Sequence, residues 1–171
     1  DFQGVAIVNE GPASATLTFR AFGVDGNLLA GTGMANPSAP AILPAHTQYA
    51  KVVEEMFALR DVFNTDHGWI EVESTAPNTS GFFLIGHTVD GITSELDGAD
   101  VSHAVTAHAI FPVLGKDMAK DTKIYVVNPG SIPATGSLKL QKGDGTTQQT
   151  FPLSIPPKGI FCLLYTSPSP R

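Results

Sequence analysis

The chain has 171 residues, ten Lys+Arg against sixteen Asp+Glu, a net charge of −6 and 42% hydrophobic residues. This acidic, unpatterned balance argues against nucleic acid and anionic membranes as partners, and no apolar run nears the roughly 20 residues that span a bilayer. The single cysteine, Cys162, rules out a disulfide framework and cysteine-ligated zinc within this chain.

The chain opens at Asp1 without a Met, so no targeting segment is read and an internal piece of a longer protein is expected. Val5-Ala6-Ile7-Val8 is a short β-branched run stopped by Asn9-Glu10-Gly11-Pro12. From Ala15 to Phe22 the pattern alternates, with Leu17, Phe19 and Ala21 on one face and Thr16, Thr18 and Arg20 on the other, as in a half-buried strand. Asp25-Gly26-Asn27 is a hairpin turn signal, because glycine takes positive φ without steric penalty.

This opening is written twice. Ala6-Ile7-Val8-Asn9-Glu10-Gly11 returns as Tyr125-Val126-Val127-Asn128-Pro129-Gly130, and Asp25-Gly26 as Asp144-Gly145, at one offset of 119 (128 − 9). A constant, gapless offset over such a length is a repeat signal. Leu43-Pro44-Ala45-His46 aligns with Ile155-Pro156-Pro157-Lys158 at 112 (155 − 43), so the first copy holds seven extra residues (119 − 112). They fall in the Gly/Pro/Ser/Ala-rich stretch 31–41, which is expected to be a surface loop.

Tyr49, Val52, Val53, Met56 and Phe57 recur at three- and four-residue spacing, which predicts an amphipathic helix within 47–63, capped by Thr47. In Trp69-Ile70-Glu71-Val72-Glu73 the register with Ile70 and Val72 inward avoids burying two carboxylates and leaves Trp69 at the sheet edge or under the preceding loop. Gly81-Phe82-Phe83-Leu84-Ile85-Gly86 reads as a central strand covered on both faces, 95–103 as an edge strand, and 104–112 as the first strand of a next module. Short strands with regular turn signals predict an all-β antiparallel sandwich with one short helix and a truncated second copy. The expected boundaries are a module over 1–108, with its N-terminal strand missing, and a partial module over 109–161.

The residues 162–171, Cys-Leu-Leu-Tyr-Thr-Ser-Pro-Ser-Pro-Arg, break the preceding pattern. All ten, in order, resemble the translated read-through of a transposase-type sequencing adapter, and a scar of this kind is set apart from fold reasoning. The native sequence is then expected to end near Phe161, with no cysteine and a charge of −7 from nine Lys+Arg against sixteen Asp+Glu.

Several constellations bear on chemistry. His87, His103 and His108 suit a metal only if neighbouring strands bring them together, and the His103/His108 spacing differs from the i, i+4 pair of a helical zinc motif. Asp61, Asn64 and Asp66 before Gly68 offer calcium-type oxygen ligands, but their spacing is not that of an EF-hand loop, so a capped helix end beside a solvated loop is the expected reading. Glu71 and Glu73 share one strand face, as a glycosidase pair could, or simply line a solvated sheet. Ser102 and His103 lack a Gly-x-Ser-x-Gly elbow. Gly31-x-Gly33 lacks a following helix, and Asn78-Thr79-Ser80 is a bare glycosylation sequon. No catalytic residue, resident metal or cofactor is assigned.

The strings Ile-Val-Asn-x-Gly, Ala-Thr-Leu-Thr, Asp-Gly-Asn, Leu-Pro-Ala, Val-Val-Glu-Glu-Met-Phe, Gly-Trp-Ile-Glu-Val-Glu-Ser and Gly-Phe-Phe-Leu-Ile-Gly together resemble the Ig-like β-sandwich repeats of large bacterial exported and surface proteins. Glu10 replaces the proline of the family's Asn-Pro-Gly turn, which Asn128-Pro129-Gly130 retains. The resemblance implies a non-catalytic structural or adhesion-type tandem module, extracellular, cell-surface or periplasmic. Its implied partners are neighbouring modules of the same chain and a polysaccharide or surface protein. The alternative is a carbohydrate-binding accessory module of a secreted hydrolase, with Trp69 and Tyr49 or Phe82 stacking on a sugar ring.

Overall fold

In the computed structural model, residues 2–59, 62, 68–89, 92–101, 105–111 and 122–165 are described. The chain forms two compact units: Asp1–Ala21, Leu28–Thr65 and Ile70–Ala104 make the first, and Phe22–Asn27, Asp66–Trp69 and Val105–Arg171 the second. Two short earlier segments thus belong to the second unit. Among the described residues both are all-β, built from antiparallel strands, with one short helix in the first.

In the first unit, β1 (Phe2–Asn9) alternates Val5, Ile7 and Asn9 toward the interior. In β2 (Ala15–Gly23), Ala15, Leu17, Phe19 and Ala21 are buried, the face their alternation predicts. β3 (Ala41–Leu43) pairs with β2, placing Leu43 opposite Ala15. β4 (Gln48–Val52) runs straight into α1 (Val53–Phe57). β5 (Gly68–Ser74), β6 (Thr79–Val89) and β7 (Ile92–Asp100) follow. Two sheets result, ordered β4-β1-β6-β7 and β3-β2-β5. Between them lies one cluster of Val5, Ile7, Ala15, Leu17, Phe19, Ala21, Leu43, Val53, Met56 and Phe57, with Tyr49, Ile70, Val72 and Val101 packed at its margin. This is a sandwich-like arrangement. Phe19, with no exposed surface, contributes on the order of 2–3 kcal/mol by burial.

The helix predicted over 47–63 is five residues long. Tyr49, Ala50 and Lys51 instead pair with Ile7, Ala6 and Val5 as strand β4, and Tyr49 stacks on Phe19 with ring centroids 5.3 Å apart. The open edge of β1 offers a full ladder of backbone bonds, which outweighs a helical periodicity of few turns. Only the last part of the stripe, Val53, Met56 and Phe57, is helical and buried. Thr47 does not cap it: its hydroxyl donates to the Pro44 carbonyl at 2.8 Å. The helix ends at Ala58 in the left-handed conformation, φ 54°.

β6 is central as expected, between β1 and β7, but is not covered on both faces: Phe82, Phe83 and Ile85 are 46%, 39% and 44% exposed. Phe83 pairs with Val5, where the core cluster stops on β1, so β6 runs on past the packed interior. β7 is an edge strand, as read. The stretch 105–111 forms no strand, contrary to expectation; it makes no ladder among the described residues, and Val105, Ile110 and Phe111 are exposed.

The stretch 31–41 is mostly exposed, but is tied to β2 by two side chains. Asn36 accepts from Ala21 N and donates to the carbonyls of Ala21 and Leu29. The Ser38 hydroxyl accepts from Phe19 N, and Ser38 N donates to Phe19 O.

In the second unit, β8 (Thr122–Val127) pairs with β11 (Ile160–Tyr165), and β9 (Ala134–Gln141) pairs with β10 (Thr147–Ile155). β11 extends through Cys162–Tyr165, the first four residues of the adapter-like segment. Ile124, Asn128, Ile155, Ile160 and Phe22 are buried in this unit. Among the described residues no helix is long and apolar enough to cross a membrane.

Candidate functional site

Asn9 and Asn128 are the polar anchors of the two units. At the end of β1, Asn9 is fully buried. Its Nδ2 donates to the carbonyls of Ala13 (2.8 Å), Leu43 and Pro44 (both 3.1 Å), and its Oδ1 accepts from Gly11 N at 3.0 Å. Asn128, 8% exposed, donates to Ile132 (2.8 Å), Ile155 (3.2 Å) and Pro156 (3.0 Å) and accepts from Gly130 N at 3.1 Å. An amide is the side chain that both accepts from a turn N–H and donates to crowded carbonyls at a buried point. The sequence marks both asparagines as repeated turn residues, but not as buried clamps across to the returning strand.

The aromatic candidates do not form one platform. Trp69, in the second unit, stacks on Phe22 with centroids 5.1 Å apart and an interplanar angle of 22°. Its indole N–H donates to the Lys158 carbonyl at 2.7 Å. The Lys158 ammonium lies 5.8 Å from the Phe22 ring centre and 5.9 Å from that of Trp69, within the range of a cation–π attraction. Tyr49 and Phe82 both flank β1, but Tyr49 pairs with Ile7 and Phe82 with Ala6, so they point to opposite faces of the sheet. Tyr49 turns inward onto Phe19 while Phe82 is exposed. Burial, and next the negative charge of Glu55, raises the Tyr49 pKa. Phe22 and Lys158 are partners that sequence reading missed; nothing in their local sequence pairs residues so far apart.

Glu71 and Glu73 lie on the outer face of β5 with Arg20 of β2 between them. The guanidinium is 2.8 Å from Glu73 and 3.8 Å from Glu71. Arg20 binds the pair as a surface ion cluster, the solvated-face alternative for these carboxylates. Ile70 and Val72 face the core, as expected.

Asp61, Asn64 and Asp66 lie outside the described residues, as do Ser102 and His103 and the side chain of His87. Among the described residues no three His, Cys, Asp or Glu side chains gather to hold a metal ion. A pocket of about 230 Å³ opens at one end of the first unit, lined by Ile7, Val72, Ala76, Thr79, Gly81 and Val101 among others. Among the described residues its lining includes no charged side chain.

The turns also correspond. Asp25 Oδ1 accepts from Asn27 N at 3.0 Å, and Asp144 Oδ1 from Thr146 N at 2.9 Å. Gly26 and Gly145 sit at φ 82° and 84°. The bonds to Asn27 hold the Asp25 carboxyl below its ordinary range, and those to Thr146 do the same for Asp144.

Comparison with models of protein families, with curated proteins and with solved structures finds no match to this chain.

Proposed function

We propose that the chain is a non-catalytic structural or adhesion-type module, repeated in tandem, of a bacterial exported or cell-surface protein. The observation that carries this reading is the recurrence of the Asn9 bond set at Asn128: the same four bonds, at the same two offsets that relate the strings of sequence. A unit that buries its own core can be strung along a chain as a spacer between other domains or as a row of contact surfaces. The Ig-like assignment, the second copy over 109–161 and the extracellular or periplasmic location belong to the same proposal. The binding of Glu71 and Glu73 by Arg20 favours a structural role for that face.

The carbohydrate-binding alternative draws less support. One face of the Trp69 ring is stacked by Phe22 and its N–H is already committed to Lys158, while Tyr49 is stacked on Phe19 and Phe82 points to the opposite face of its sheet.

The coding sequence on either side of this stretch provides the test. Further copies of the Asn-x-Gly and Asp-Gly strings, with an export signal and a surface anchor, are the expected result. A catalytic domain beside a single copy would favour the accessory-module alternative, and a complete gene without an export signal would overturn the surface reading.

A further inference from the structure

We infer that the exposed turn 143–146 is a plug that seats on the turn 44–48 of a second copy of this chain. The inference rests on the tandem reading, because it carries a contact made inside the second unit over to the equivalent turns.

Within the second unit, the segment Phe22–Asn27 is seated on the turn between β10 and β11. Ile160 N donates to Val24 O at 3.2 Å. Gly26 lies so close that a Cβ on it would overlap the Pro157 carbonyl oxygen. Glycine, which also takes the φ of 82° found there, is what lets the two turns meet.

Both halves of this contact occur a second time. In the plug, Lys142 N donates to Thr146 O as Gly23 N does to Asn27 O, both at 2.9 Å. Gly145 N donates to Lys142 O at 2.9 Å, as Gly26 N does to Gly23 O at 3.1 Å. Asp144 accepts from Thr146 N as Asp25 does from Asn27 N. The turn is therefore preformed, and all of 143–146 is exposed.

In the seat, His46 and Lys158 share a φ of 57°. Asn9 N donates to Thr47 O as Asn128 N does to Gly159 O, both at 3.0 Å, and Val8 stands opposite Gln48 as Val127 does opposite Ile160. Backbone groups alternate between the two edges of a strand. Gln48 N is thus turned away from β1, as Ile160 N is turned away from β8 toward Val24 O. Pro44, His46, Thr47 and Gln48 are exposed.

Carried across, the contact has Gln48 N donating to Gly143 O and Gly145 lying against Ala45 O. One difference tightens it. Thr47 replaces Gly159, where a Cβ would lie 3.0 Å from Val24 O, so the incoming carbonyl stands off slightly. Plug and seat are different surfaces, so the contact is heterologous and repeats head to tail. Along a tandem chain the two meet at roughly millimolar effective concentration, so a weak contact serves.

The test follows the full chain by sedimentation equilibrium and amide-resolved NMR up to about 1 mM, the Kd range of so small a contact. Two variants divide the contact. Gly145→Ala puts a Cβ where the seated turn has no room and keeps the seat. Gln48→Pro removes the donor, at an edge position that tolerates proline, and keeps the plug. The expected wild-type mass rises past the dimer with concentration while the Gln48 amide shifts downfield. Each variant alone should associate at least about tenfold more weakly, and their mixture should form a one-to-one complex. A wild type that stays monomeric, association that Gly145→Ala leaves unchanged, or a mixture that forms no complex would overturn the contact. If Gln48→Pro does not fold, the wild type and Gly145→Ala decide the matter. The Asn128 side-chain amide separates the two readings. If it is protected from exchange while the chain stays monomeric, the tandem reading survives and the plug falls. If it exchanges freely, the second unit does not form as described and the tandem reading loses its support.

Discussion

The Asn9 side chain and the Asn128 side chain occupy equivalent places in two separate units, each joining the end of a strand, the following turn and the returning strand through four hydrogen bonds. Replacing Asn9 by Ala would take its side-chain donor from the carbonyls of Ala13 and Leu43 and its acceptor from Gly11 N at a point with no exposed surface, while the Pro44 carbonyl would keep the Thr47 hydroxyl. Buried unmet groups cost about 1–3 kcal/mol each, less where water enters. Urea denaturation of Asn9→Ala is expected to show a loss of about 3 kcal/mol, and of Asn128→Ala about 1–2 kcal/mol. Asn9→Asp should be no better than Ala, since a carboxylate cannot donate. A loss below about 1 kcal/mol at Asn9 would mean that the clamp contributes little.

Gly26 and Gly145 occupy the same kind of turn at nearly the same φ, but their surroundings differ. A Cβ at Gly26 would overlap the Pro157 carbonyl oxygen, whereas at Gly145 nothing lies within 4 Å. Gly145→Ala should therefore cost only the left-handed backbone penalty, about 1 kcal/mol. Gly26→Ala should cost at least about 2 kcal/mol more. Equal losses in thermal or urea unfolding would contradict the difference in packing.

The Asp25 and Asp144 carboxyls are held below the ordinary range by bonds that exist only in the folded turns. A depressed folded pKa contributes stability that is present above the unfolded value, about 3.9, and is lost as pH falls through the folded value. Both turns should therefore loosen only on acidification below about pH 4. Carboxyl-detected NMR titration should find both groups below the unfolded value. Asn27→Ala, which removes the side-chain bond to Asp25, should move Asp25 upward and leave Asp144 in place. A shift of both together would count against a local cause.

Trp69 is the only tryptophan, so its fluorescence reports the Phe22–Trp69–Lys158 cluster without interference. Acrylamide should quench it less than it quenches free tryptophan, because one face is covered by Phe22. Trp69→Phe keeps an aromatic stack but loses the bond to the Lys158 carbonyl, at a cost of about 1 kcal/mol. Lys158→Met should shift the emission and cost about 0.5–1 kcal/mol by removing the cation. Quenching equal to that of free tryptophan would rule out the stack.

Where the local pattern had one reading, the sequence sufficed. Leu17, Phe19 and Ala21 alternate with polar residues and are buried. Ile70 and Val72 face inward because the other register would bury Glu71 and Glu73. Asp25-Gly26 makes its turn because glycine reaches φ 82° without penalty. The spacing of Tyr49 to Val52, Val53 and Met56 is helical, while the ladder that makes it a strand residue lies on β1, some forty positions away.

The sequence by itself determined the strand-and-turn grammar, because alternation and glycine turns are local properties of the chain. The tertiary structure alone decided the rest. It placed Tyr49 inward and Phe82 outward, since pairing register sets which face a side chain takes. It covered Trp69 with Phe22 and bonded it to Lys158, and it made Asn9 and Asn128 buried clamps rather than turn residues on the surface. These outcomes depend on which distant segment supplies the neighbouring backbone and side chains, information that no window of the sequence contains.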